Sequence, residues 1–250
     1  MWYTSTRMPF RVVVSTCDRE PSYIDETLES LFIDPEAATC KVMLAVDGAN
    51  DDYLQRWKDH PCVSILTLTQ EQSAERETKN VTTRIFLNTA RALAAAEVAE
   101  PLLYCQDDIE FCASWVSKLQ ECVHQAPHHM AGMRRPGDRY VLCLYAAYDI
   151  RGPIVSDYPV MKFYGNQCLY FPVGILAEFR ATMQTVIESG SFVPDDMLLK
   201  DWCLKSQVPT RSETSVDILV AIPNLVQHVG EETTLGPLAY YHTSPTFVAG

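Results

Sequence analysis

Three short apolar runs in the first 110 residues end on aspartate, and this limits what the chain can fold into more than any other feature. Residues 10–16 (FRVVVST) lead into Cys17-Asp18-Arg19, residues 41–46 (KVMLAV) into Asp47-Gly48, and residues 102–105 (LLYC) into Gln106-Asp107-Asp108. Compact β-branched runs without polar alternation suit strands buried on both faces. Residues 62–68 (CVSILTL) read as a further strand. Helical patterns lie between these runs. Pro21 suits a first helical position, with Tyr23, Leu28, Leu31 and Phe32 on one apolar face. A short helix is expected in 50–59. A longer one spans 80–97, with Val81, Ile85, Thr89, Ala92, Leu93 and Ala96 on one side and Pro101 as its stop. Strands alternating with helices predict βαβ units, so the expected fold is α/β, with a Rossmann-like, mostly parallel central sheet and flanking helices. Ligands gather at the carboxyl ends of such strands, where the aspartates stand. The second half is less regular, with strands expected at 140–147, 168–172 and 218–222 and helices at 174–188 and 196–206.

Composition bounds the function. The 250 residues are 47% hydrophobic and 21% charged, without repeats or an obvious linker, so one domain over 1–250 is expected. The formal charge is −12, from 20 basic and 32 acidic side chains. That is the wrong overall sign for binding nucleic acid, where basic surface displaces counterions. An anionic nucleotide would be repelled too, unless a cation or local arginines offset the field. Nine cysteines without a CxxC pair argue against zinc and for reduced thiols, hence a cytoplasmic location. The start (MWYTSTRMPFRVVV) lacks a basic-then-apolar leader. The longest apolar stretch, 90–105, is broken by Arg91, Glu97, Glu100 and Pro101, so no transmembrane segment is expected.

The chemistry centres on LLYCQDDIEF, 102–111, where a strand delivers two adjacent carboxylates with Glu110 just beyond. Like charges this close raise each other's pKa, and a divalent cation relieves both that conflict and the repulsion of a diphosphate. The plainer reading is a solvated turn or a helix cap. His228, in IPNLVQHVG (222–230), is by itself a hydrogen-bonded core histidine; with Asp108 it makes a mixed oxygen and nitrogen set that suits Mn²⁺ as well as Mg²⁺. Asp195 and Asp196 in VPDDMLLKDW open an amphipathic helix with Met197, Leu198 and Trp202 facing inward. They serve either as a cap or as a carboxylate base beside an acceptor hydroxyl. Tyr164-Gly165-Asn166-Gln167 offers sugar contacts or a simple turn. Tyr240, Tyr241, His242 and Phe247 either stack on an acceptor or pack.

Arg76-Glu77-Thr78-Lys79-Asn80, a helix, and then Tyr104-Cys105-Gln106-Asp107-Asp108-Ile109 resemble the branching N-acetylglucosaminyltransferases of the GnT-IV kind, members of the GT-A glycosyltransferase superfamily. Those enzymes carry RTKxN, a helix and EDDI in this order. Pro194-Asp195-Asp196-Met197-Leu198-Leu199 is similar to their acidic helix start, and Pro223 to Gly230 with Thr233-Thr234-Leu235 to their PSLFQHVG and SSL. Two departures stand out: Gln106 replaces an acid, and no Golgi-type anchor is present.

The resemblance implies a GT-A fold with a nucleotide-sugar-binding half, 1–110, and an acceptor-binding half, 111–250. It implies Asp108 and His228 as ligands of Mn²⁺ (or Mg²⁺), with Asp107 beside the donor diphosphate. Thr16, Asp18, Arg19 and Asp47 would line the base and ribose pocket. Arg76 and Lys79 would meet phosphates, unless they are solvated loop charges, and Gly165 and Asn166 would meet the sugar. Asp196, or its neighbour Asp195, would be the general base. The implied reaction moves a sugar from a UDP-sugar such as UDP-GlcNAc to a hydroxyl of a glycan or other acceptor, with inversion.

Two other classes share parts of this pattern. A metal-dependent nucleotidyltransferase or phosphohydrolase would use the same carboxylates, but 15–19 (STCDR) has no phosphate-cradling glycine. A sugar-nucleotide-binding module would keep the pocket and dispense with Asp195 and Asp196.

Overall fold

The first half of the chain runs β1 (Arg11–Thr16), α1 (Ile24–Phe32), β2 (Lys41–Val46), α2 (Gln55–Lys58), β3 (Val63–Leu66), α3 (Gln70–Glu77), α4 (Val81–Ala95), β4 (Leu102–Gln106) and β5 (Ile109–Phe111). The second runs α5 (Trp115–Gly132), β6 (Tyr140–Cys143), β7 (Val155–Asp157), β8 (Cys168–Phe171), α6 (Ile175–Ser189), α7 (Asp195–Gln207), β9 (Asp217–Ala221) and β10 (Val226–His228). The computed structural model describes residues 10–96, 99–135, 137–163, 165–207, 215–230, 232–233, 236–237 and 243–249.

Eight strands form one sheet in the order β3-β2-β1-β4-β8-β6-β9-β7. β3, β2, β1 and β4 run parallel, and β8 lies antiparallel between β4 and β6. β6 and β9 are parallel to each other, with β7 antiparallel at the edge. The architecture is therefore α/β with a mostly parallel sheet, and that sheet draws on both halves of the chain. Side chains alternate between its two faces. Val12, Val14, Leu103 and Cys105 pack with Leu28 and Leu31 of α1 and Trp115 of α5. Val13, Ala45, Leu102 and Tyr104 pack with Phe86 of α4 and with Leu176 and Phe179 of α6. Each face has its own hydrophobic layer, which is why the strands read as unbroken apolar runs. Each valine so buried is worth about 1.5–3 kcal/mol.

The structure shifts several sequence expectations. α1 starts at Ile24 with Tyr23 as N-cap, so Pro21 lies outside it. The strand expected at 140–147 ends at Cys143, and beyond it the Ala146 N–H is taken by the Asn224 side chain at 2.9 Å. α3 has no buried residue. It is held by a capping box between Thr69 and Gln72, so it carries no apolar face to read. β5, β7 and β10 are three residues each, too short for periodicity. α5 contains Pro127, which interrupts its pattern. Among the described residues no helix is long and apolar enough to cross a membrane.

Candidate active site

β4 is paired with β1 on one side and β8 on the other, so its carboxyl end opens onto elements from both halves. The register sets Ser15 opposite Gln106. The next residues therefore meet, and Thr16 Oγ1 donates to Asp107 Oδ2 at 2.6 Å. Arg19 donates to Asp107 Oδ1 at 2.6 Å and lies 3.4 Å from Asp108 Oδ2, with its guanidinium over the Tyr23 ring. Thr27 of α1 clamps the turn from behind. Its hydroxyl lies 2.9 Å from the Asp107 carbonyl and 2.7 Å from that of Ile109, and accepts from the Ile109 N–H at 3.2 Å.

Just past the turn, β5 pairs antiparallel with β10, which sets His228 opposite Ile109. The Val229 N–H donates to the Asp108 carbonyl at 2.9 Å. This pairing leaves His228 Nε2 3.5 Å from Asp108 Oδ2, although 120 residues of sequence separate them. Gly230 passes so close that a Cβ there would stand 3.1 Å from Asp108 Oδ2 and 3.2 Å from His228 Nε2.

The two carboxylates titrate as a coupled pair driven in opposite directions. Burial first, and then the charge of Asp108, push Asp107 up to about 6 against Arg19 and the Thr16 hydrogen bond. Burial also works to raise Asp108, but His228 and Arg19 outweigh it and hold Asp108 below its ordinary value. Asp108 is the member that stays ionised near neutral pH.

The residues fit a divalent cation. Asp108 Oδ1 and His228 Nδ1 are buried without a hydrogen-bond partner, and Asp108 is an ionised oxygen donor beside an imidazole. Among the described residues no three His, Cys, Asp or Glu side chains converge as a metal-holding group. Asp108 and His228 would thus be the protein's share of the shell, with substrate phosphate and water as the remainder, the usual manner for a phosphate-bound divalent cation.

The other expected site residues fall around this turn. Asp47, at the end of β2, accepts from Arg76 Nε at 2.6 Å and from its Nη2 at 2.7 Å, and Arg84 lies 3.8 Å away. Lys79 is 3.4 Å from Glu75 on the preceding turn. Asp18 accepts from Asn50 at 2.9 Å, and the Tyr53 hydroxyl lies 3.4 Å from Thr16 Oγ1. Arg19 is therefore an anchor of the acidic turn, and Arg76 is held by Asp47. Asp195 is buried and both its oxygens are engaged: Oδ2 accepts from Thr89 and Asn166, and Oδ1 from the Asp196 N–H. Asn166 is likewise engaged at both ends of its amide. Asp196 is only partly buried; it accepts from the Gly165 N–H at 3.3 Å and the Met197 N–H at 2.8 Å. Burial first, then the neighbouring Asp195 charge, raise its pKa above the ordinary carboxylate value. Gly165 has φ +72°, the left-handed region that favours glycine, and a Cβ there would displace the end of the Gln167 side chain. Phe247 packs against the core. Tyr164, Thr234, Leu235, Tyr240, Tyr241 and His242 lie outside the described residues.

Sequence reasoning missed Thr27, Tyr53 and Arg84. Thr27 left one trace, a polar residue among the apolar positions of α1.

No family model matches the chain, and no curated protein matches it. Among solved structures it is similar to the galactosyltransferase LgtC, in complex with donor and acceptor sugar analogues, at TM-score 0.48 and 11% identity over 88% of this chain and 86% of that one. It is also similar to TarS of S. aureus, at TM-score 0.47 and 14% identity over 86% of this chain and 36% of that one. A third is the glycosyltransferase GlyE of Streptococcus pneumoniae, at TM-score 0.47 and 10% identity over 78% of this chain and 43% of that one. The chain thus spans most of LgtC but less than half of TarS or GlyE. These are similarities of chain path.

Proposed function

We propose that the chain is a nucleotide-sugar-dependent glycosyltransferase of the GT-A type, close in its motifs to the GnT-IV kind. The observation that carries this reading is the Asp107-Asp108 turn at the end of β4, brought against His228 by the β5–β10 pairing. At the same carboxyl end of β4, residues 165–166 link its last residue to Asp196 at the head of α7.

Asp108 and His228 would hold Mn²⁺ or Mg²⁺. A cation bound there supplies Lewis-acid stabilisation of the charge on the departing diphosphate. Arg19 and Thr16 keep Asp107 in place beside it, and Thr27 keeps the backbone of the turn from shifting. The donor is a UDP-sugar, with UDP-GlcNAc suggested by the motif resemblance. Asp196 is the general base. Its raised pKa suits proton removal from an acceptor hydroxyl, whose oxygen bonds the anomeric carbon as the bond to the diphosphate oxygen breaks. Attack from the side opposite the leaving group inverts the anomeric centre. The acceptor is a glycan or another hydroxyl-bearing molecule; at −12 the overall charge disfavours nucleic acid. A cytoplasmic setting belongs to the same proposal, since it keeps the seven buried thiols reduced.

The test is release of nucleoside diphosphate from UDP-, GDP- and dTDP-linked sugars, and of CMP from CMP-linked ones, with and without Mn²⁺. Metal-dependent turnover of one donor, lost in Asp108→Ala, is the expected result. Cleavage within the diphosphate, or no donor binding by calorimetry, would replace this reading with the phosphohydrolase one. Donor binding that survives in Asp196→Asn, with turnover lost, separates a transferase from a binding module.

A further inference from the structure

The hydrogen bonds of this site continue past the acidic turn. Gln106, the last residue of β4, donates from Nε2 to Asn166 Oδ1 at 3.0 Å. Asn166 Nδ2 donates to Asp195 Oδ2 at 2.9 Å, and Thr89 of α4 donates to the same oxygen at 2.6 Å. The Thr89 hydroxyl also meets the Tyr104 hydroxyl at 3.1 Å. Tyr104, Thr89, Asn166 and Asp195 are all buried, so water cannot substitute for a missing partner.

Chemistry fixes the direction of this chain. Asp195 Oδ2 accepts from Asn166 Nδ2, so Asn166 turns its NH₂ toward Asp195 and its oxygen toward residue 106. That oxygen only accepts, so residue 106 has to donate. The acid found at this place in the resembled motif would set a carboxylate against an amide oxygen. Gln106 is the residue type that the rest of the chain requires.

We propose that Gln106, Asn166 and Asp195 form a buried positioning relay. It fixes the head of α7, and with it the Asp196 carboxylate, relative to the Asp107-Asp108 turn. The role of Asp196 rests on the glycosyltransferase reading. The three relay residues are positioning residues: Gln106 is tied through its Nε2, Asn166 is engaged at both ends of its amide, and Asp195 accepts from Asn166, Thr89 and the Asp196 N–H. The link to Asp196 is short: Asp195 Oδ1 accepts the Asp196 N–H at 3.0 Å, and the Gly165 N–H reaches Asp196 Oδ2.

Exchanging acid and amide across one contact tests the relay. Asn166→Asp sets two carboxylates face to face, and Asp195→Asn removes the acceptor. Each is expected to lower kcat about 100-fold, the scale of an ångström-level misplacement, with the donor KM within about threefold of wild type. The double exchange restores every bond: Gln106 and the amide now at position 195 both donate to the carboxylate now at position 166, and Thr89 turns its proton to Tyr104. Its kcat should return to within about fivefold of wild type. Gln106→Met, at a half-buried position that tolerates the change, should also lower kcat while sparing KM. A double exchange no better than the combined single losses would overturn the relay, as would wild-type kcat in Gln106→Met. If the wild-type chain turns over no donor, the glycosyltransferase reading falls and unfolding decides the relay. The single variants should then lower Tm by about 4–8 °C and the double exchange should recover it, whereas additive losses overturn it.

Discussion

Arg19 donates to Asp107 at 2.6 Å and lies 3.4 Å from Asp108, so Arg19→Met would leave two buried carboxylates facing each other. A loss of about 2–4 kcal/mol at neutral pH is expected by urea unfolding, at the lower side of buried-pair deletions because the arginine keeps some exposure. The pH dependence has a definite sign. Asp107 titrates at about 6 in the folded chain, above its ordinary value of 3.8. Its contribution to stability is therefore complete below 3.8 and is lost as pH rises through about 6. Without Arg19 that loss should move to higher pH, and a pH–stability profile identical to wild type would refute the assignment. Asp196 gives a separate test. As a base it works ionised, so kcat should rise with pH along a limb lying above 3.8. An acid limb at or below that value would remove Asp196 from the role.

Among the elements, α1 and α3 make opposite demands on sequence reading. α1 has a plain apolar face, yet its buried Thr27 holds the acidic turn by three contacts. Thr27→Val keeps the shape and strands those backbone groups. It should cost about 1–3 kcal/mol in denaturant unfolding, and a neutral result would mean the clamp is incidental. α3 buries nothing and depends on its capping box, so Thr69→Ala should destabilise it by about 1 kcal/mol, read as faster amide exchange across Gln70–Glu77. α4 is legible in its span: Asn80 caps it by accepting the Thr83 N–H at 2.9 Å, and Thr89, Ala92 and Leu93 are buried as their spacing predicts, whereas Val81 and Ile85 are only half-buried. The same spacing leaves out Phe86, which is fully buried.

At the scale of the whole molecule, one insertion shapes the site. β8 enters the sheet antiparallel beside β4, setting Cys168 opposite Cys105, so the segment before β8 arrives at the carboxyl end of β4. The Gln106 N–H donates to the Gln167 carbonyl at 2.8 Å, and Asn166 and Gly165 then face the head of α7. The α/β class, the strands ending on Asp47 and Asp107, and the spans of α4, α6 and α7 were set by the sequence alone, although Met197 of α7, expected to face inward, is exposed and Leu199 and Cys203 are buried instead. Apolar content and period act within a few residues, so they can be read without knowing the neighbours. Which side chains meet was decided only by tertiary structure. The Asp108–His228 approach depends on the β5–β10 register, the place of Arg19 on the β1–β4 register, and the closure of Gln106, Asn166 and Asp195 on the antiparallel β8. Each joins residues at least 29 apart, and no local pattern encodes a partner at that distance.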